Sequence, residues 1–189
     1  MDMRIEKTRR SIINAFLQLR AQKPLEKITV KELSALAEIN KATFYLHYRD
    51  IYELSESLER EVVRSVLHGI EHPENILTDN KQFIRELTTS FVANEQLMKT
   101  LFEGNRSGSF LSLFEEELTA VILSVQPDYQ PSIKSRMMMT YLIYGGYYTY
   151  FKYCDYGIKA VLDLIEKLSD GIMTVSYTHL RAHETLRHL

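Results

Sequence analysis

Lys41, Thr43, Tyr45 and His47 place an ammonium, two hydroxyls and an imidazole within a few residues of one another. Such groups at helical spacing donate to phosphate oxygens and base edges. A long cation and a phenol suit the phosphates, while the small residues Ala42 and Thr43 come nearest the bases. No phosphate-cradling glycine loop accompanies them. The chemistry implied is non-covalent recognition of the DNA major groove.

The elements that must hold these groups are legible on either side. Thr29 caps a short helix, with Glu32 three residues later as the other half of a capping box. Val30, Leu33, Leu36 and Ala37 share one face of that helix. Glu38-Ile39-Asn40 breaks the pattern, and Asn40 is a good N-cap for a second helix from Lys41 to about His47. That helix is too short to stand alone. It buries Phe44, leaves Tyr48 open to either side, and turns Lys41, Ala42, Thr43, Tyr45 and His47 outward. The whole reads as helix, turn, helix over 29–48.

The segment Ala37-Glu-Ile-Asn-Lys-Ala-Thr-Phe-Tyr-Leu-His-Tyr-Arg-Asp-Ile-Tyr-Glu-Leu54 resembles the signature of TetR-type transcriptional regulators. Their pattern runs Ala-Gly-Val-Ser, two variable residues, Thr-Phe/Leu-Tyr, a variable residue, His/Tyr-Phe, two residues, Lys, two residues, Leu. The likeness is strong over about the first 60 residues, and length and helical layout carry it to about residue 174. Three positions depart from the pattern. Glu38 replaces the turn Gly, which puts a non-Gly residue near the left-handed region at about 1 kcal/mol or sends the turn along a different path. Ile51 stands where relatives carry a phosphate-contacting Lys, with Arg49 and Tyr52 near enough to compensate. Arg49 also replaces a frequent Pro.

The resemblance implies an all-α fold. An N-terminal three-helix helix-turn-helix DNA-binding domain would span 1–50, and a C-terminal helical ligand-binding and dimerisation domain 51–174. It implies a homodimer that reads a palindromic operator on double-stranded DNA, most simply as a repressor. The DNA-facing set is then Thr29 and Lys31 from the first helix of the motif and Asn40, Lys41, Ala42, Thr43, Tyr45, His47 and Tyr48 from the second. A small amphipathic or aromatic effector would bind in the body. The candidate lining is Phe91, Met98, Phe102, Phe110 and Phe114, then Met138, Tyr141, Tyr144 and Tyr148; each of these also fits ordinary core or dimer interface. No cofactor or metal is implied. The departures at 38 and 51 leave room for another class, a TetR-fold coregulator that acts through a protein partner.

Composition agrees with this picture. Forty-five per cent of the 189 residues are hydrophobic, which excludes a disordered chain, and 4 Pro and 7 Gly suit helices. The net charge of −2 is uneven. Residues 1–50 carry ten Lys/Arg against six acids, or +4, leaving −6 for the rest. A basic head on an acidic body fits DNA binding by the head, although the bias is modest. No apolar run approaches the roughly 20 residues of a membrane span, and the first residues lack the apolar core of a secretory signal. With a single Cys, a cytoplasmic location is expected.

The first helix is expected from Ile5 to Gln22, with Ile5, Ile12, Ile13, Phe16, Leu17 and Leu19 inward and Lys23-Pro24 as its stop. Arg9 and Arg10 fit a phosphate contact or a solvated face equally well. A long helix from the Asp50 cap to Ile70 steps Leu54, Leu58, Val62, Val66 and Ile70 along one side. Pro73 to Asn80 reads as a loop, and Gly104 to Ser109 as a break. Further helices are expected at Lys81–Ala93, Gln96–Phe102, Phe110–Ser124, Ser132–Tyr153 and Lys159–Met173. The helix from Ser132 is apolar nearly all round, so it should be buried on more than one side, and Gly145-Gly146 would admit a close helix.

Cys154, beside Lys152, fits a structural cysteine better than a redox sensor or nucleophile, because no His or acidic cluster accompanies it. No enzyme site is expected. Residues 175–189 hold His179, His183 and His188. The first two are spaced like metal ligands on a helix, and His183-Glu184 opens a near match to the zinc protease motif that fails at Arg187. This segment resembles a translated cloning or adapter tail and is set aside as non-native or disordered.

Overall fold

The computed structural model describes residues 3–102 and 107–185, with side chains throughout except at 77, 78, 80, 107 and 173–185. The fold is all-helical, with no strand among the described residues. In chain order the helices are α1 (Met3–Arg20), α2 (Val30–Leu36), α3 (Lys41–Tyr45), α4 (Ile51–His68), α5 (Asn75–Thr78), α6 (Asn80–Ala93), α7 (Glu95–Phe102), α8 (Ser107–Val125), α9 (Ile133–Tyr153) and α10 (Ile158–Thr185). They fall into two compact units. One is the chain up to Arg64 together with Asn94–Phe110; the other is Ser65–Ala93 together with the chain from Leu111 onward.

In the first unit, α1 packs on α2 and α7, and α2 packs on α3. Ile12, Phe16, Leu33, Phe44 and Leu54 are fully enclosed there. The buried stripe of α1 begins at Ile12, so Ile5, expected inside, stands half exposed two turns ahead of it. Ile13 and Leu17 are only partly covered. The helix ends at Arg20, two residues early. There the buried Arg20 guanidinium donates to the Lys23 carbonyl (3.1 Å) and the Leu101 carbonyl (3.2 Å). It thereby satisfies an acceptor in the turn after α1 and one in the last turn of α7 that the helix cannot satisfy internally. The α4 ladder is as expected: Leu54, Leu58, Val62, Val66 and Ile70 are all buried. The Asp50 carboxylate accepts from the Glu53 N–H at 2.8 Å and caps α4.

Three places beyond α4 depart from expectation. The loop foreseen over 73–80 contains α5, because Ile76 has an apolar side chain to bury and one helical turn does so. The break foreseen up to Ser109 ends sooner, since α8 already includes Gly108 and Ser109; residues 103–106 lie outside the described residues. The largest departure is α9, in which Tyr150 alone is buried. Ile133, Met137, Tyr141 and Tyr148 are more than half exposed. The reason is that α9 meets α10 along one side, where a Cβ on Gly146 would lie 3.8 Å from Ile165, while a Cβ on Gly145 would meet nothing. Gly157, at φ 133, makes the turn between them. The backbone of α10 continues past Met173 to Thr185. Residues 186–189 and the side chains of His179 and His183 lie outside the described residues.

Two contacts set how α6 docks. Gly69 has no room for a side chain, since a Cβ there would sit 2.1 Å from the Ser90 Oγ. His72 and Glu86 form a clamp: the His72 N–H and ring Nδ1 each lie 3.0 Å from a Glu86 oxygen, and Gln82 donates to the same carboxylate at 2.8 Å. Against the burial that would raise it, these bonds hold the Glu86 carboxyl down at about 2. The bond to Glu86 raises the His72 imidazole.

Candidate nucleic-acid interface

The helix-turn-helix forms through side-chain caps at both starts. Thr29 Oγ1 accepts from the Glu32 N–H at 3.3 Å and opens α2. Glu32 does not reach back as a full capping box would have it; its carboxylate pairs with Lys23. Past α2, Glu38 adopts φ 56, so of the two paths open to a turn without Gly the chain takes the left-handed one. The Ile39 N–H reaches the Ser34 carbonyl (3.0 Å) and the Glu38 N–H the Ala35 carbonyl (3.3 Å). That is a Schellman closure built on a glutamate.

Asn40 then starts α3. Its Oδ1 accepts from the Thr43 N–H at 2.7 Å and from the Thr43 hydroxyl at 2.9 Å. The cap therefore fixes the Thr43 rotamer and uses its one proton, leaving lone pairs to face outward. Phe44 and Tyr48 anchor the inner side of α3, with ring centroids 6.0 Å apart. Lys41, Ala42 and Tyr45 are exposed, and Thr43 and His47 half-buried. Thr29, Lys31 and Asn40 are exposed at the edge of the same motif.

Tyr48 is placed differently from its neighbours. It is buried, and its hydroxyl lies against Arg9, which also binds Glu61 at 2.9 Å. Burial pushes the phenol up and Arg9 offsets this only in part. Of the two arginines that sequence left open, Arg9 is thus engaged within the head and Arg10 is exposed. Ile51 is buried, so the position that carries a cation in the resembling family here faces the core. Arg49 and Tyr52 remain exposed beside it.

Leu46 was not among the expected contacts, yet it is 85% exposed. The signal was present in the spacing. With Phe44 and Tyr48 inward, a residue four after Ala42 must point out with it.

The candidate effector residues are divided between the two units. Met98, Phe102 and Phe110 belong to the first unit and are core, with Phe102 and Phe110 edge to face at 5.0 Å. Phe114 is buried in the second unit, and Phe91 packs edge to face on Tyr150 at 5.0 Å. Met138 and Tyr141 line an open groove of about 570 Å³ with Ile133, Lys134, Met137 and Ile172. Tyr144 is partly covered and Tyr148 exposed. Cys154 is buried, and Lys152 lies over the Tyr153 ring, 5.4 Å from its centroid. Among the described residues no group of His, Cys, Asp and Glu could hold a metal, and no helix is long and apolar enough to cross a membrane.

No family model matches the chain. Among solved structures, it is similar to a protein from Shewanella sp. PV-4 that is provisionally described as a tetR family transcription regulator. The superposition gives a TM-score of 0.58 and 13% identity, covering 87% of this chain and 95% of that one. At that identity the likeness establishes a shared fold.

Proposed function

We propose that the chain is a TetR-type DNA-binding transcriptional regulator. In this reading it acts as a ligand-responsive repressor that binds a palindromic operator as a homodimer. The observation that carries it is α3, five residues long, capped by Asn40, pinned inward by Phe44 and presenting Lys41, Ala42 and Tyr45 to solvent. A helix this short gains nothing by itself. Its rigid presentation makes sense as a surface that enters a groove. Lys31, Arg49 and Arg10 supply exposed cations on the same head. The shared fold with a described regulator supports the family, and the signature from Ala37 to Leu54 supports it independently.

The open apolar stripes of α9 (Ile133, Met137, Tyr141) and α10 (Leu164, Leu168) support dimerisation, which brings two α3 helices to two half-sites. An amphipathic or aromatic effector held in the second unit would act by shifting the population of α4 orientations and so the spacing of the heads. Such a regulator works in the cytoplasm.

The test is binding of the purified protein to its own upstream DNA across a salt series. Tight binding to a palindrome, with log affinity falling linearly in log salt, is the expected result. Tyr45→Ala should weaken it on all sequences alike. Weak binding that ignores sequence would instead favour a coregulator that works through a protein partner.

A further inference from the structure

The outward face of α3 is unusual in what it lacks. Ala42 and Leu46 are four residues apart and both exposed, and Tyr45 lies between them at 56% exposure. The Thr43 hydroxyl proton is committed to Asn40 at 2.9 Å. Along Ala42 and Leu46 this face therefore offers neither donor nor acceptor to a base edge. The groups that can hydrogen-bond are Lys41 and Tyr45, whose reach suits phosphates, and the half-buried Thr43 and His47.

In the major groove a base pair also offers one apolar feature, the C5 methyl group of thymine. An exposed leucine is wasted on phosphates and is costly beside polar base edges, but it gains by covering a methyl. Resting on the reading of α3 as a DNA-recognition helix, we propose that this protein reads its site chiefly through thymine methyls. Leu46, with Ala42, is the specificity-determining contact. The occupant of the face is A·T-bearing duplex DNA. Lys41 at the start of α3 and the exposed Lys31 and Arg49 near it are complementary to a polyanion. A protein partner would match the leucine but not those charges.

The experiment begins with the full chain and a pool of random duplexes at about 50 mM salt. The enriched duplex is resynthesised with deoxyuridine for each thymidine in turn, which removes single methyls and leaves every hydrogen bond in place. One or two positions per half-site should lose about fourfold in affinity each, the weight of one buried methylene-sized group. In Leu46→Ala that loss should shrink toward onefold, while the salt dependence, set by the cations, stays the same. Leu46→Met should keep the discrimination. Because Leu46 is exposed, neither substitution threatens the fold. If a duplex is enriched but uridine is tolerated everywhere, or Leu46→Ala keeps the full discrimination, methyl readout is wrong and DNA binding stands. If no duplex is enriched, both fall, and the leucine face belongs to a protein partner.

Discussion

The head around α1 to α3 and the α9–α10 pair handle apolar surface in opposite ways. In the head, even a five-residue helix has a cap at its start and an enclosed ring beneath it. In α9, a helix of 21 residues rich in Tyr and Met encloses a single side chain. The difference teaches where each is completed. The head is finished by its own chain, because short helices survive only on tertiary packing. The α9 helix is long enough to persist while its outer stripe stays open.

Matched substitutions sharpen that contrast. Phe44→Ala removes a fully enclosed ring and should cost about 3–5 kcal/mol, visible as a lower urea midpoint and loss of DNA binding. Met137→Glu removes a comparable apolar side chain from α9, yet it should leave the unfolding midpoint of the separated chain nearly unchanged. Its effect should appear in sedimentation, where a dimer gives way to a monomer. If Met137→Glu sediments as the parent does, the stripe is not the dimer surface.

A smaller effect tests the turn of the head. Glu38→Gly removes a side chain from the left-handed region, so it should stabilise by about 1 kcal/mol. An unchanged or lower thermal midpoint would mean that the Glu38 side chain contributes more than its backbone strain costs.

The smallest effect lies in the second unit, at His72 and Glu86. The imidazole is raised when folded, so its contribution is fully present below 6.5 and fades as pH rises through that higher value. The carboxyl is depressed, so its contribution is present above 4.5 and fades as pH falls toward about 2. The difference in thermal midpoint between the parent and Glu86→Gln should therefore be widest between 4.5 and 6.5 and narrow on the alkaline side. A difference that grows above neutrality would contradict the clamp.

Much of the head was legible in advance because its signals are local. Thr29, Asn40 and Asp50 act on backbone N–H groups three residues away, and the α4 ladder follows from helical period alone. The departures share a cause in longer range. Glu32 was expected to close a box but found Lys23 across the turn. Arg9 was left open because Glu61 and Tyr48 are distant in sequence. Leu46 is the exception, a local signal, since the helical period that turns Ala42 out also turns out the residue four later.

By itself, the order of residues determined the helical class and the two caps of the motif, since each depends on neighbours within one helical turn; of the two paths open to the turn at Glu38, the structure takes the left-handed one. The tertiary structure alone decided that Arg20 is buried across the end of α7 and that Gly69 makes room for Ser90. It also decided that Met98, Phe102 and Phe110 fill a core and that α9 keeps an open side. These outcomes depend on which distant segments meet. Apolar composition says that a side chain will seek cover; packing says where the cover comes from.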